Sequence, residues 1–147
     1  MNLSSKILLG LCSVLSASAF AYLPSSVEVD KFVGQVMFSL EKKELKVAGE
    51  LIAKHWMNST NDEAKNFADQ VVGANKFNSE KFGRQTGIEV LPSCKVGQFL
   101  YKAQAIVKYE RGFVFWNFDF YNSGKGWALT SYQFNNKDFV PLKPGCS

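Results

Sequence analysis

The chain has 147 residues, 46% of them hydrophobic and 14% aromatic, and a formal net charge of +4. Its only arginines are Arg84 and Arg111, so the positive charge rests on scattered lysines. Clustered arginines with bidentate reach to phosphate are missing, which argues against nucleic-acid recognition.

The first residues read as a leader rather than as fold. Lys6 precedes the apolar run "ILLGLCSVLS" and then "ASAFAY". This is a short basic region, an apolar stretch and small residues at A-x-A spacing, the pattern of a secretory signal peptide over 1–21. The cut is expected after Ala21, or alternatively after Ala19. The run is too short to span a bilayer, which takes about 20 residues, and no later stretch is apolar enough to serve. Leu11 stands before Cys12 where a lipoprotein signal needs a small residue, which argues against lipid anchoring. The expected location is the bacterial periplasm or the extracellular space. The rest, 22–147, is expected to be a single domain.

Removing the leader takes Cys12 with it and leaves Cys94 and Cys146. Two cysteines in an oxidising compartment are expected to pair. Closing a loop of about 53 residues would stabilise by roughly 4 kcal/mol in the chain-entropy model. C-x-x-C spacing is absent, so the bridge reads as a structural staple.

Helices are expected over about 27–78. Ser25 and Glu28 stand at capping-box spacing, and Val29, Val33, Val36 and Leu40 recur at helical intervals. The stripe skips at "EKKE", where a short turn is expected. Leu45, Ala48, Leu51, Ile52 and Trp56 mark a second helix. Thr60 and Glu63 form another capping box ahead of a third, which should fade by Phe77.

From Gly83 onward glycines become frequent and alternation replaces the helical period, giving strands over about 86–136. "GIEVLP" reads as a strand ended by Pro92. In "QFLYKAQAIVKYE" one face carries Phe99, Tyr101, Ala103, Ala105, Val107 and Tyr109; Lys102, Gln104 and Lys108 lie on the other. With Arg111-Gly112 as a two-residue turn, Val107 faces Trp116, Ala105 faces Phe118 and Ala103 faces Phe120. With "NSGKG" as the next turn, Phe120 faces Ala128, Phe118 faces Thr130, Trp116 faces Tyr132 and Val114 faces Phe134. Both turns give one continuous apolar face, which should be the core.

The opposite face then holds Phe115, Asn117, Asp119, Tyr121, Trp127 and Leu129, which is too apolar for a plain solvated surface. It is expected to be a binding surface for a protein partner or a second copy of the chain. The bland alternative is an outer face half covered by the disulfide-pinned tail, 137–147.

Helices followed by an antiparallel meander give an α+β fold, with the helices packed on one face of a strongly curved sheet. The run from "FADQ" through "FGRQTGIEV" to "YKAQAIVKYERGFVFWNFDFYNSGKGWALTSYQFNN" resembles small exported members of the nuclear transport factor 2-like superfamily, the cystatin-like α+β cones. The resemblance implies a helical first half folded over a bent sheet. That superfamily spans isomerases, dehydratases, polyketide cyclases and accessory domains, so the fold licenses no reaction.

Enzymes of that type place an acid/base group inside the cone. The candidates are His55 with Asp69 or Glu89, none brought together by spacing alone. One histidine and a committed cysteine pair do not make a zinc set. "GRQTG" and "NSGKG" lack P-loop spacing, and no G-x-S-x-G elbow occurs. No metal and no cofactor are expected. The reading is an exported, non-catalytic binding or accessory protein, working through a partner surface or a small apolar pocket. A periplasmic inhibitor or immunity protein is the alternative, and an isomerase- or dehydratase-type enzyme using His55 is the third. "NST" at Asn58 is formally a glycosylation acceptor, relevant only to a eukaryotic source.

Overall fold

The computed structural model describes residues 21–57 and 61–136. The signal segment 1–20, the "NST" site, Thr60 of the second capping box, Cys146 and the tail 137–147 lie outside the described residues.

Helix α1 covers Ser26–Glu41, and the Ser25 hydroxyl accepts the Glu28 amide at 3.3 Å, as the capping spacing predicts. Its stripe of Val29, Phe32, Val33, Val36, Met37 and Leu40 is buried. The turn at "EKKE" is a Schellman closure. Lys43 takes φ 63, and the Lys43 and Glu44 amides donate to the Leu40 and Ser39 carbonyls at 3.2 and 2.8 Å.

Helix α2, Leu45–His55, and α3, Asn61–Phe82, meet with their backbones in contact. A Cβ on Gly49 would lie 2.3 Å from Ala68 Cα, so only glycine permits this approach.

Helix α3 runs to Phe82 rather than fading at Phe77, because tertiary contacts hold its last turn. Asn78 is buried and hydrogen-bonds Tyr109, and the Phe82 ring packs 6.1 Å from that of Tyr109. Gly83 then stops the helix at φ 86, its amide donating to the Ser79 carbonyl.

The sheet is antiparallel, with β1 (Gln85–Val90), β2 (Cys94–Val96), β3 (Leu100–Tyr109), β4 (Gly112–Asn122) and β5 (Trp127–Asn135). Its order is β1-β3-β4-β5, and β2 also pairs with β3. It is an open sheet with three helices against one face, an α+β architecture. Two irregularities in register, at Gln85/Gly87 and Asp119/Phe120, are of the kind that bend a sheet. No described helix is long and apolar enough to cross a membrane.

The first hairpin differs from expectation by two residues. Its turn is Glu110-Arg111, so Val107 faces Val114, Ala105 faces Trp116 and Ala103 faces Phe118. The turn is held from outside: the Glu110 and Arg111 amides donate to the Arg84 and Phe82 carbonyls at 3.0 and 2.9 Å. A shift of two preserves which residues share a face, so the core assignment survives. Phe99 falls in the turn before β3 and is exposed, outside the alternation expected of it.

The second hairpin carries a larger correction. Asn122 faces Trp127, Tyr121 faces Ala128 and Phe120 faces Leu129, but beyond the bulge Asp119 faces Ser131 and Phe118 faces Tyr132. Thr130 is the extra residue, and its hydroxyl donates to the Asp119 carbonyl at 3.0 Å. Trp127 and Leu129 therefore belong to the inner, helix-covered face, and Ala128 does not. The edge of β5 is covered in part, with Leu23 and Trp127 exchanging backbone bonds of 2.9 and 2.8 Å. Farther along, the Met57 amide reaches the Leu129 carbonyl at 2.8 Å.

Candidate functional site

Alternation in β3 and β4 divides the sheet into two chemical surfaces. The inner face is closed by its own side chains: Phe32, Met37, Ile52, Phe118, Phe120 and Leu129 are the largest fully buried groups. Next to them Trp116 stacks near Phe118 and Tyr132, at centroid distances of 6.2 and 6.5 Å. Trp56 and Phe67 close on Tyr132 at 6.0 and 5.5 Å. Burial pushes the Tyr132 phenol up to about 12, and its hydroxyl donates to the Gln70 side chain. A void bordered by Leu40, Asn78, Val107 and Trp116 measures about 10 Å³, no more than one water needs.

His55 is held structurally. A carbonyl only accepts, so its Nδ1 donates to the Ala21 carbonyl, at 2.6 Å. Its ring stands edge-on to Phe32 at 5.0 Å. Burial holds its pKa below the usual imidazole value; the Ala21 bond opposes this and the Lys54 charge adds to it.

The two carboxylates proposed to work with His55 lie elsewhere. Asp69 is exposed on α3, one position past the buried Ala68. Glu89 lies opposite Ile106 on the outer face and pairs with Lys108 at 3.1 Å. The structure does not bring the three together.

A polar cluster that the sequence reading missed joins α1 to the sheet. Ser93 Oγ and the Tyr101 hydroxyl both donate to the Asp30 carboxylate, at 2.6 and 2.9 Å, and lie 2.6 Å from each other. Burial raises the Tyr101 pKa, with the Ser93 bond opposing and Asp30 adding, so this hydroxyl keeps its proton. The cluster acts as a clamp. A tyrosine on the inner face beside Ala103 and Ala105 was the signal for it, since a buried hydroxyl needs a partner.

The outer face is built from cross-strand pairs. Lys102 meets Asp119 at 2.9 Å and Gln104 Nε2 donates to Asn117 Oδ1 at 2.5 Å, each directly across β3 and β4. Half-exposed ion pairs of this kind add at most about 1 kcal/mol and serve mainly to set register.

Toward the first hairpin the face turns apolar. Ile106 lies opposite Phe115 and Lys108 opposite Phe113, and the two phenyl rings meet edge-to-face at 5.3 Å. Together with Thr86 and Gly112 they border an open recess of about 410 Å³. Phe113 is 47% exposed while Phe115 is 4% exposed, so one ring is the rim and the other the floor. The charge of Lys108 is already matched by Glu89, which leaves an apolar socket suited to an aromatic or aliphatic group.

Of the six residues expected on the binding surface, Phe115, Asn117, Asp119 and Tyr121 lie on this face. Trp127 and Leu129 are core, and Ile106 and Phe113 supply the recess instead. A second groove, of about 530 Å³, runs along α1 beside Leu51 of α2. It is lined by Lys31, Gln35 and Ser39 around a single exposed ring, Phe38, over which Lys42 sits at 5.3 Å.

Among the described residues no three His, Cys, Asp or Glu side chains gather closely enough to hold a metal ion. No family model, no curated protein and no solved structure matches the chain.

Proposed function

We propose that this is an exported binding or accessory protein of the nuclear transport factor 2-like type, performing no chemistry and meeting its partner through the outer sheet face. The observation that carries the reading is the apolar recess of Ile106, Phe113 and Phe115 on the sheet face opposite the three described helices, with Phe113 47% exposed at its rim. Monomer surfaces rarely keep such a patch without use for it. Among the described residues the inner face is filled by aromatic side chains, and His55 is engaged by a backbone carbonyl, which favours the outer face. Export rests on the leader-like start of the sequence, and the superfamily on the resemblance of 27–136.

The recess would take one aromatic or aliphatic side chain of a partner protein, with the exposed Lys108–Glu89 pair beside it as its polar rim. An inhibitor or immunity protein would use the same surface, with a hydrolase or toxin as the partner.

The test is affinity capture from the protein's own extracytoplasmic fraction, followed by rebinding of the purified partner to Phe113→Asp and Phe38→Asp. Loss with Phe113→Asp and retention with Phe38→Asp is expected. Unchanged binding to Phe113→Asp moves the site off the outer face. A dimer that Phe113→Asp converts to monomer makes the partner a second copy of the chain.

A further inference from the structure

Of the chain's 17 lysines and arginines only Arg84 and Arg111 are arginine, and the fold brings these two to one place. The Glu110 amide donates to the Arg84 carbonyl at 3.0 Å and the Arg111 amide to the Phe82 carbonyl at 2.9 Å, which sets the β3–β4 turn against the junction of α3 and β1. Gly83 leaves room there: a Cβ on it would lie 3.7 Å from Arg111 Nε. Tyr109 and Gly112, on either side of the same turn, border the recess of Phe113 and Phe115.

The charges at this end of the sheet do not cancel. Lys108 is matched by Glu89 at 3.1 Å and Arg84 by Glu110 at 3.2 Å. Both Glu110 oxygens are taken, since Oε2 accepts the Arg84 amide at 3.0 Å. Arg111 is exposed and has no ion pair among the described residues. Neither has Lys81, whose ammonium sits over the Phe82 ring at 4.9 Å. That ring packs where a Gly112 Cβ would stand. Two unmatched cations therefore stand at the hairpin end of an apolar recess.

We infer that this end of the outer face takes an acidic segment of a partner protein: one aromatic or aliphatic side chain fills the recess, and a carboxylate near it in sequence binds the Arg111 guanidinium. The inference rests on the outer face as the working surface and adds the chemistry of the partner.

Charge complementarity selects this occupant. Guanidinium matches a carboxylate through two parallel N–H bonds, which an ammonium cannot do. Aromatic and arginine side chains are also the groups that dominate interface energetics. Nucleic-acid binders with strong salt dependence neutralise about six to ten phosphates, whereas two unmatched cations suit one short acidic segment. Arg111 stands two residues before Phe113, roughly 7 Å along the chain, so the carboxylate belongs within about three residues of the anchoring side chain.

The probe is a random-sequence peptide library displayed on phage and selected on the immobilised mature protein, with dissociation constants then measured for synthetic copies of the selected peptides. Asp or Glu should recur at that spacing from an aromatic or aliphatic residue. These peptides should bind at least tenfold more weakly to Phe113→Asp and at least threefold more weakly to Arg111→Gln. Lys125→Gln, in the exposed turn at the other end of β4, should bind as wild type. Added salt should weaken binding to wild type more than to Arg111→Gln. Circular dichroism confirms the fold of each variant, and Phe113→Ala replaces Phe113→Asp if the latter does not fold. Neutral or basic selected peptides that still require Phe113 overturn the acidic partner and leave the outer-face reading standing. Binding indifferent to Phe113→Asp overturns both. Acidic peptides with equal affinity for Arg111→Gln and wild type, or a library that yields no binding peptide, overturn the inference.

Discussion

Phe120 faces Leu129 across β4 and β5, and both side chains are fully buried beneath the helices. The pairing depends on the bulge at Thr130, which lets Trp127 and Leu129 share a face with Tyr132 and Phe134 although their spacing is odd. Leu129→Ala should therefore behave as a core truncation and cost about 2–5 kcal/mol in urea unfolding. A loss below about 0.5 kcal/mol is the signature of a surface residue and would return Leu129 to the outer face.

Gly49 sets the distance between α2 and α3. Alanine is the better helix former by about 1 kcal/mol, so propensity alone favours Gly49→Ala. The added methyl would meet Ala68 Cα at 2.3 Å and Ala68 N at 2.5 Å, and backbone atoms cannot step aside as a flexible side chain does. Overpacking typically costs 1–3 kcal/mol, and more against backbone. We expect a net destabilisation of about 2 kcal/mol by denaturant titration; a more stable variant would show that the helices are free to separate.

How much of this was legible depended on what each feature rests upon. Local signals worked: the Ser25 cap, the break at "EKKE" and the strand alternation of Tyr101, Ala103, Ala105 and Val107 appear where the spacing puts them. The tertiary contacts did not show. Phe82 extends α3 through packing on Tyr109, and the backbone bonds of Glu110 and Arg111 to the α3–β1 junction fix the first turn. A bulge cannot be read from alternation, because one unpaired residue reverses the facing of everything beyond it; that moved Trp127 and Leu129 inward. The recess was half visible, with Phe115 placed on the outer face by alternation and Phe113 hidden next to an assumed turn.

Acid should weaken the fold through His55. Its folded pKa lies below the unfolded value of about 6.5, so the neutral ring is the form the fold prefers. The stability this contributes is present above about pH 6.5 and is lost as pH falls through the folded value. His55→Gln, which removes the titration, should flatten that part of the stability-against-pH curve. An unchanged acid slope in the variant would assign the loss to the carboxylates.

At the alkaline end Tyr132 works in the opposite direction. Its folded pKa is about 12 against about 10 unfolded, so its contribution holds below pH 10 and is lost as pH rises toward 12. Burial also raises Tyr101 and Tyr109, so ultraviolet titration should show a group of late phenols, and Tyr132→Phe should remove the part that ionises near pH 12. Full ionisation of every tyrosine by pH 10.5, with the fold intact, would mean that the Trp56, Phe67 and Trp116 cage around it is open to water.

The central claim is that the outer sheet face, and not the packed interior, is the working surface. It is tested most directly by the dissociation constant of the purified captured partner for the wild-type protein, Phe113→Asp and Phe38→Asp. The account predicts at least a tenfold weakening with Phe113→Asp and none with Phe38→Asp, both proteins unfolding at the wild-type urea midpoint. Equal affinity for Phe113→Asp and wild type, or a loss confined to Phe38→Asp, would contradict it.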